Sequence, residues 1–89
     1  MPTINLLIKG NVQGVFYRAT AKQIANELGV TGWIKNTNEG SVEVTVSGNE
    51  QQLEKFVNWC KKGPDKAAVK EVVVTQKDET SFKGFSIVR

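Results

Sequence analysis

Arg18 closes the stretch Gly10-Asn11-Val12-Gln13-Gly14-Val15-Phe16-Tyr17-Arg18, a glycine-bracketed loop between an apolar strand pattern and an amphipathic helix pattern. Residues of these types in this order make a place to hold a phosphate. Glycines at 10 and 14 relax the backbone so that successive N–H groups converge on an anion, and a helix start adds the positive end of its dipole. The guanidinium of Arg18 supplies a forked, permanently charged clamp. A cation at a helix start opposes the dipole, so a bound anion or a carboxylate is expected to compensate it. The plainer alternative is a strand-to-helix turn with a solvated arginine.

Several chemistries fall away on residue type alone. The chain has no histidine, which removes the usual neutral-pH base and metal sites built on imidazole. A Gly-x-x-x-x-Gly-Lys-Ser/Thr nucleotide loop is missing. Cys60, the single cysteine, lies late in an apolar helix stripe with no arginine loop after it, so a phosphocysteine route is disfavoured. The only aspartates, Asp65 and Asp78, stand isolated in expected loops, against an aspartyl-phosphate enzyme with clustered magnesium carboxylates. What remains is hydrolysis without a covalent intermediate, a metal or a cofactor.

The elements that must position such a site follow from periodicity. Thr3 to Lys9 alternates with Ile4, Leu6 and Ile8 on one face of a strand. Ala21, Ile24, Ala25 and Leu28 then repeat with helical spacing from Arg18 to Leu28, and Gly29 suits the helix end. Val30 to Asn36 and Ser41 to Ser47 form a hairpin about Thr37-Asn38-Glu39-Gly40. Asn49 caps a second helix with Gln52 three residues on; Leu53, Phe56, Val57 and Cys60 line its buried stripe, and Gly63-Pro64 ends it. Ala68 to Gln76 is a further strand, and Phe82 to Val88 a short last one. The order β-α-β-β-α-β with right-handed crossovers predicts an α+β, ferredoxin-like sandwich. Its antiparallel sheet carries both helices on one face and a short extra C-terminal strand.

Eighty-nine residues make a single domain, 1–89, with one modest core and a small, superficial site. Twelve Lys and Arg against nine Asp and Glu give a net charge of +3, a mild excess that favours a small anion over nucleic acid. One cysteine suits a reducing compartment, and no targeting or membrane-spanning run stands out, so a cytoplasmic protein without a membrane partner is expected.

Val12-Gln13-Gly14-Val15-Phe16-Tyr17-Arg18, together with Gly32-Trp33-Ile34-Lys35-Asn36-Thr37-Asn38-Glu39-Gly40-Ser41-Val42 followed by Gly48, closely resembles the paired signatures of the acylphosphatase family. The resemblance spans essentially the whole chain. It implies a monomeric, cofactor-free enzyme that hydrolyses an acyl phosphate to a carboxylate and inorganic phosphate, with Arg18 and Asn36 as the catalytic pair. The residue types agree with that demand. An acyl phosphate has a good carboxylate leaving group and needs mostly positioning and charge stabilisation. Amides of Gln13, Gly14, Val15, Phe16, Tyr17 and Arg18, with the Arg18 guanidinium, would hold the phosphoryl oxygens while the Asn36 amide orients water.

Asn11 stands where the family usually has a basic residue, and Ile34 where a smaller aliphatic or cysteine is usual. Asparagine also opens turns unaided, so Asn36 has a structural reading as well. Tyr17 and Trp33 either wall an acyl group or pack, and packing is the expectation. The Arg89 carboxylate is a further proposed partner for Arg18. Two other functions remain in view: an idle anion-binding module like the domain within larger carbamoyl-transferring proteins, and an RNA-binding domain. The second is prompted by Lys83-Gly84-Phe85-Ser86-Ile87-Val88, which resembles an aromatic ribonucleoprotein motif but lies too near the chain end.

Overall fold

Ile4, Leu6 and Ile8 point the same way from β1 (Thr3–Asn11) and are buried, as their alternation requires. A computed structural model describes residues 1–88. After β1 come α1 (Tyr17–Leu28), β2 (Thr31–Asn36), β3 (Val42–Ser47), α2 (Glu50–Lys62), β4 (Ala68–Lys77) and β5 (Phe85–Ile87). The sheet order is β4-β1-β3-β2-β5. The first four strands in that order pair antiparallel, while β5 lies parallel to β2, so the expected antiparallel sheet becomes mixed at one edge.

Register aligns Ile4, Leu6 and Ile8 with Val46, Val44 and Val42, and these with Gly32, Ile34 and Asn36 of β2. One continuous apolar face results, covered by the two helices through Ala21, Ala25, Leu53, Phe56 and Cys60. The other face carries Asn5, Trp33, Lys35, Glu43 and Thr45; there Asn5 donates to Glu43 and Thr45, both at 3.0 Å. Phe85 belongs to the core, with its ring centroid 5.8 Å from that of Phe56. A stacking role toward nucleic acid is therefore closed to it.

The helix ends follow the sequence signals. Gly29 stops α1 at φ 79°. Asn49 accepts from the Gln52 N–H at 2.8 Å, and the Gln52 side chain accepts from the Asn49 N–H at 2.8 Å. Gly10 does a different job from the one its loop position suggests. It lies within β1 at a register shift against β4, with φ 131°.

Candidate active site

The two-residue period of β2 places Asn36 on the helix-covered face, at the end of the row Gly32–Ile34–Asn36. Beyond Ile34 that row meets the start of α1, and a cleft of about 520 Å³ opens there. Phe16, Arg18, Ala19, Asn36 and Ile87 line it. The structure thus brings the two expected residues, Arg18 and Asn36, into one cavity. Among the described residues the Asn36 Oδ1 is buried with no hydrogen-bond partner. A buried acceptor left open costs stability.

The loop before α1 contains two residues with left-handed backbone. Gly14 adopts φ 72° and Phe16 φ 62°, the latter being the only positive-φ non-glycine residue among those described. Val15 between them is on the ordinary side, so successive residues alternate in hand, a pattern of the kind that anion-binding nests use. No hydrogen bond within the described residues uses the N–H groups of Gln13 to Ala19. Phe16 is the N-cap of α1, which places Arg18 at its second position with no acidic residue in the first turn. Dipole, free amides and guanidinium all favour an anion at this end.

The side chains of other loop residues have structural work. The Gln13 side chain turns from the loop and donates to the carbonyls of Thr37 at 2.9 Å and Ser41 at 2.7 Å, in the turn that follows Asn36. Tyr17 is buried; its hydroxyl donates to the Cys60 carbonyl at 2.6 Å, and its ring lies 5.3 Å from Trp59. Burial pushes its phenol far above the ordinary value. Tyr17 can thus offer an anion its amide but not its ring or hydroxyl. Cys60 is buried and its thiol is pushed up by desolvation to about 12, as suits a packing residue.

Trp33 pairs with Thr45 on the far face of the sheet, with the Lys35 ammonium 5.5 Å from its ring centroid. Neither Tyr17 nor Trp33 walls the cleft; Phe16, Ala19 and Ile87 do. Phe16 was expected in the loop through its amide and not as a wall, and Ala19 and Ile87 were not expected at the site. The left-handed backbone of Phe16 and the long-range pairing of β5 have no local pattern to announce them. The proposed contact of Arg18 with the Arg89 carboxylate lies outside the described residues.

A family model described as acylphosphatase matches residues 4–87. The acylphosphatase of Marinobacter nauticus is 47% identical over 77 residues, covering 83% of this chain and 84% of that protein. The crystal structure of acylphosphatase from Bacillus subtilis matches with a TM-score of 0.96 and 32% identity over 100% of both chains. Full-length HypF in its phosphate- and nucleotide-bound form is similar at a TM-score of 0.88 and 25% identity, over 99% of this chain and 12% of that one. Loop, hairpin and cleft all fall within the matched span, and the chain belongs to the acylphosphatase family, hydrolases of acyl phosphates.

Proposed function

We propose that this acylphosphatase works through Arg18 and Asn36 on a phosphoryl group seated in the Gln13–Arg18 loop, with no metal and no covalent intermediate. The observation that carries this reading is the meeting of Arg18 and Asn36, whose side-chain Oδ1 has no partner among the described residues, in one cleft at the start of α1. The loop amides and Arg18 hold the phosphoryl oxygens and neutralise charge as it spreads over them. Asn36 Oδ1 accepts a hydrogen bond from water and so aims a lone pair at phosphorus. The water oxygen forms the new P–O bond while the P–O bond to the acyl oxygen breaks, its electron pair leaving with the carboxylate. One water proton passes to a phosphoryl oxygen, giving a carboxylate and dihydrogen phosphate.

A monomer as the working unit follows from the family resemblance. The single, buried Cys60 suits a reducing, cytoplasmic setting. No helix among the described residues is long and apolar enough to cross a membrane. The test is benzoyl phosphate hydrolysis in chelator-treated buffer by wild type, Arg18→Ala and Asn36→Ala, with circular dichroism to check folding. Turnover should fall by ~10³-fold or more without the guanidinium and by ~10²–10³-fold without the amide. Folded variants as fast as wild type would reject the pair. Phosphate binding by a folded wild type with no turnover would return the chain to the idle-module reading.

A further inference from the structure

Phe16 satisfies neither of the usual reasons for a large apolar residue. It is 78% exposed, and its backbone holds φ 62°. That region disfavours a bulky side chain, so the position is costly twice over: in strain and in apolar surface left in water. The strain is fixed rather than incidental, because the Thr20 N–H donates to the Phe16 carbonyl at 3.0 Å and locks the cap in place. Strain and exposure together at a cleft wall point to a ligand contact.

Across the cleft stands Ile87, 39% exposed. Its register opposite Ile34 puts it beside the strand that ends in Asn36, and the Val88 N–H anchors it by donating to the Ile34 carbonyl at 2.9 Å. Ala19, in the first turn of α1, adds a third apolar contact on the same wall. The cleft is thus polar where Arg18, Asn36 and the loop amides lie, and apolar along Phe16, Ala19 and Ile87. A substrate with a doubly charged phosphoryl end and an uncharged hydrocarbon end matches that division.

We propose that Phe16 and Ile87 form an acyl-binding lip that selects acyl phosphates with aromatic or bulky apolar acyl groups over short or polar ones. The proposal rests on the reading of the Arg18 and Asn36 cleft as the reacting site. With the phosphoryl group held in the nest, the acyl group extends across the rim and covers the Phe16 ring, removing its surface from water. A short acyl group leaves that surface wet and gains nothing from it.

The test compares kcat/KM for benzoyl phosphate and acetyl phosphate, taken as a ratio so that the intrinsic reactivities of the two anhydrides cancel between variants. Phe16→Asn keeps a residue tolerant of the left-handed backbone while removing the ring, and Ile87→Thr keeps the β-branched shape while adding a hydroxyl. The benzoyl-to-acetyl ratio should fall about tenfold in Phe16→Asn and severalfold in Ile87→Thr, the range expected for lost apolar contacts in a binding pocket. A ratio equal to wild type in both variants, whether the two rates fall together or hold, would overturn the lip. Arg18→Ala separates the underlying reading, since it should slow both substrates without shifting the ratio. If Arg18→Ala keeps full activity while the ratio shifts in Phe16→Asn, the reacting pair is wrong and the lip stands.

Discussion

Gln13 joins the two halves of the site. Its amide nitrogen donates to Thr37 and Ser41 carbonyls, and Thr37 closes the same turn by donating its backbone N–H to the Ser41 carbonyl at 2.8 Å. The loop proposed to hold phosphate is thereby tied to the turn that follows Asn36. Gln13→Met keeps the length but removes one donor from each of two carbonyls and with it the tie between loop and turn, and a small displacement of a positioned water is enough to slow attack. We expect kcat to fall about tenfold in Gln13→Met, and much less when the same change is made in Asn36→Ala. An equal further loss in that background would mean that Gln13 acts on the phosphate directly. The sequence singled out Arg18 by its type and loop position and Asn36 through the family resemblance, and both line one cleft. The Gln13 tie was not, since its partners lie 24 and 28 positions away. Nor was the exposed ring of Phe16, because nothing in a phenylalanine announces a left-handed backbone.

The loop leaves β1 at a definite angle because that strand is bulged just before it. A Cβ on Gly10 would lie 2.2 Å from the Ala68 carbonyl oxygen and 2.8 Å from the Lys70 nitrogen, both backbone atoms that cannot swing aside. Gly10→Ala should therefore part β1 from β4 and cost about 3 kcal/mol, lowering Tm by more than about 10 °C. Gly40→Ala is the control: that residue also has positive φ but has nothing within 4 Å of its Cβ position. Equal losses in the two variants would show that φ alone matters at Gly10. Helices and hairpin were readable from period and caps, as Gly29 and the Asn49–Gln52 box demonstrate. The parallel placement of β5 was not. Asp78-Glu79-Thr80-Ser81 has the composition of a tight turn, yet the chain there crosses the end of the sheet to its opposite edge. It is held on the way by the Thr80 N–H donating to Thr3 Oγ1 at 3.0 Å, by Ser47 Oγ donating to the Thr80 carbonyl at 2.9 Å, and by the Gly32 N–H donating to the Gly84 carbonyl at 2.9 Å. Those partners are set by tertiary structure, and through them Ile87 reaches the cleft.

At the scale of the molecule, the site is braced from behind by the core. Tyr17, the first residue of α1, carries the loop on one side and bonds the Cys60 carbonyl of α2 on the other. Two ionisable groups, a phenol and a thiol, thus sit together where water is excluded, and both are forced to remain neutral. Desolvation raises Cys60 from 9.0 to about 12, and desolvation with the neighbouring Cys60 raises Tyr17 above 10.0. Below pH 9 both folded and unfolded chains hold these protons, and the contribution to stability is complete. As pH climbs from 9 toward 12 the unfolded chain releases them while the folded chain keeps them, so stability falls over that window. The urea midpoint of wild type should therefore drop between about pH 8 and about pH 10.5. Lysines also titrate there, so the informative quantity is the difference from Cys60→Ala and Tyr17→Phe, each of which should flatten the drop while lowering the midpoint at pH 8 through lost packing or a lost hydrogen bond. Parallel pH dependences in wild type and both variants would mean that the pair ionises in the folded state. Because Tyr17 directly precedes Arg18, the same measurement followed by benzoyl phosphate turnover should show activity failing together with the fold at high pH, and not ahead of it.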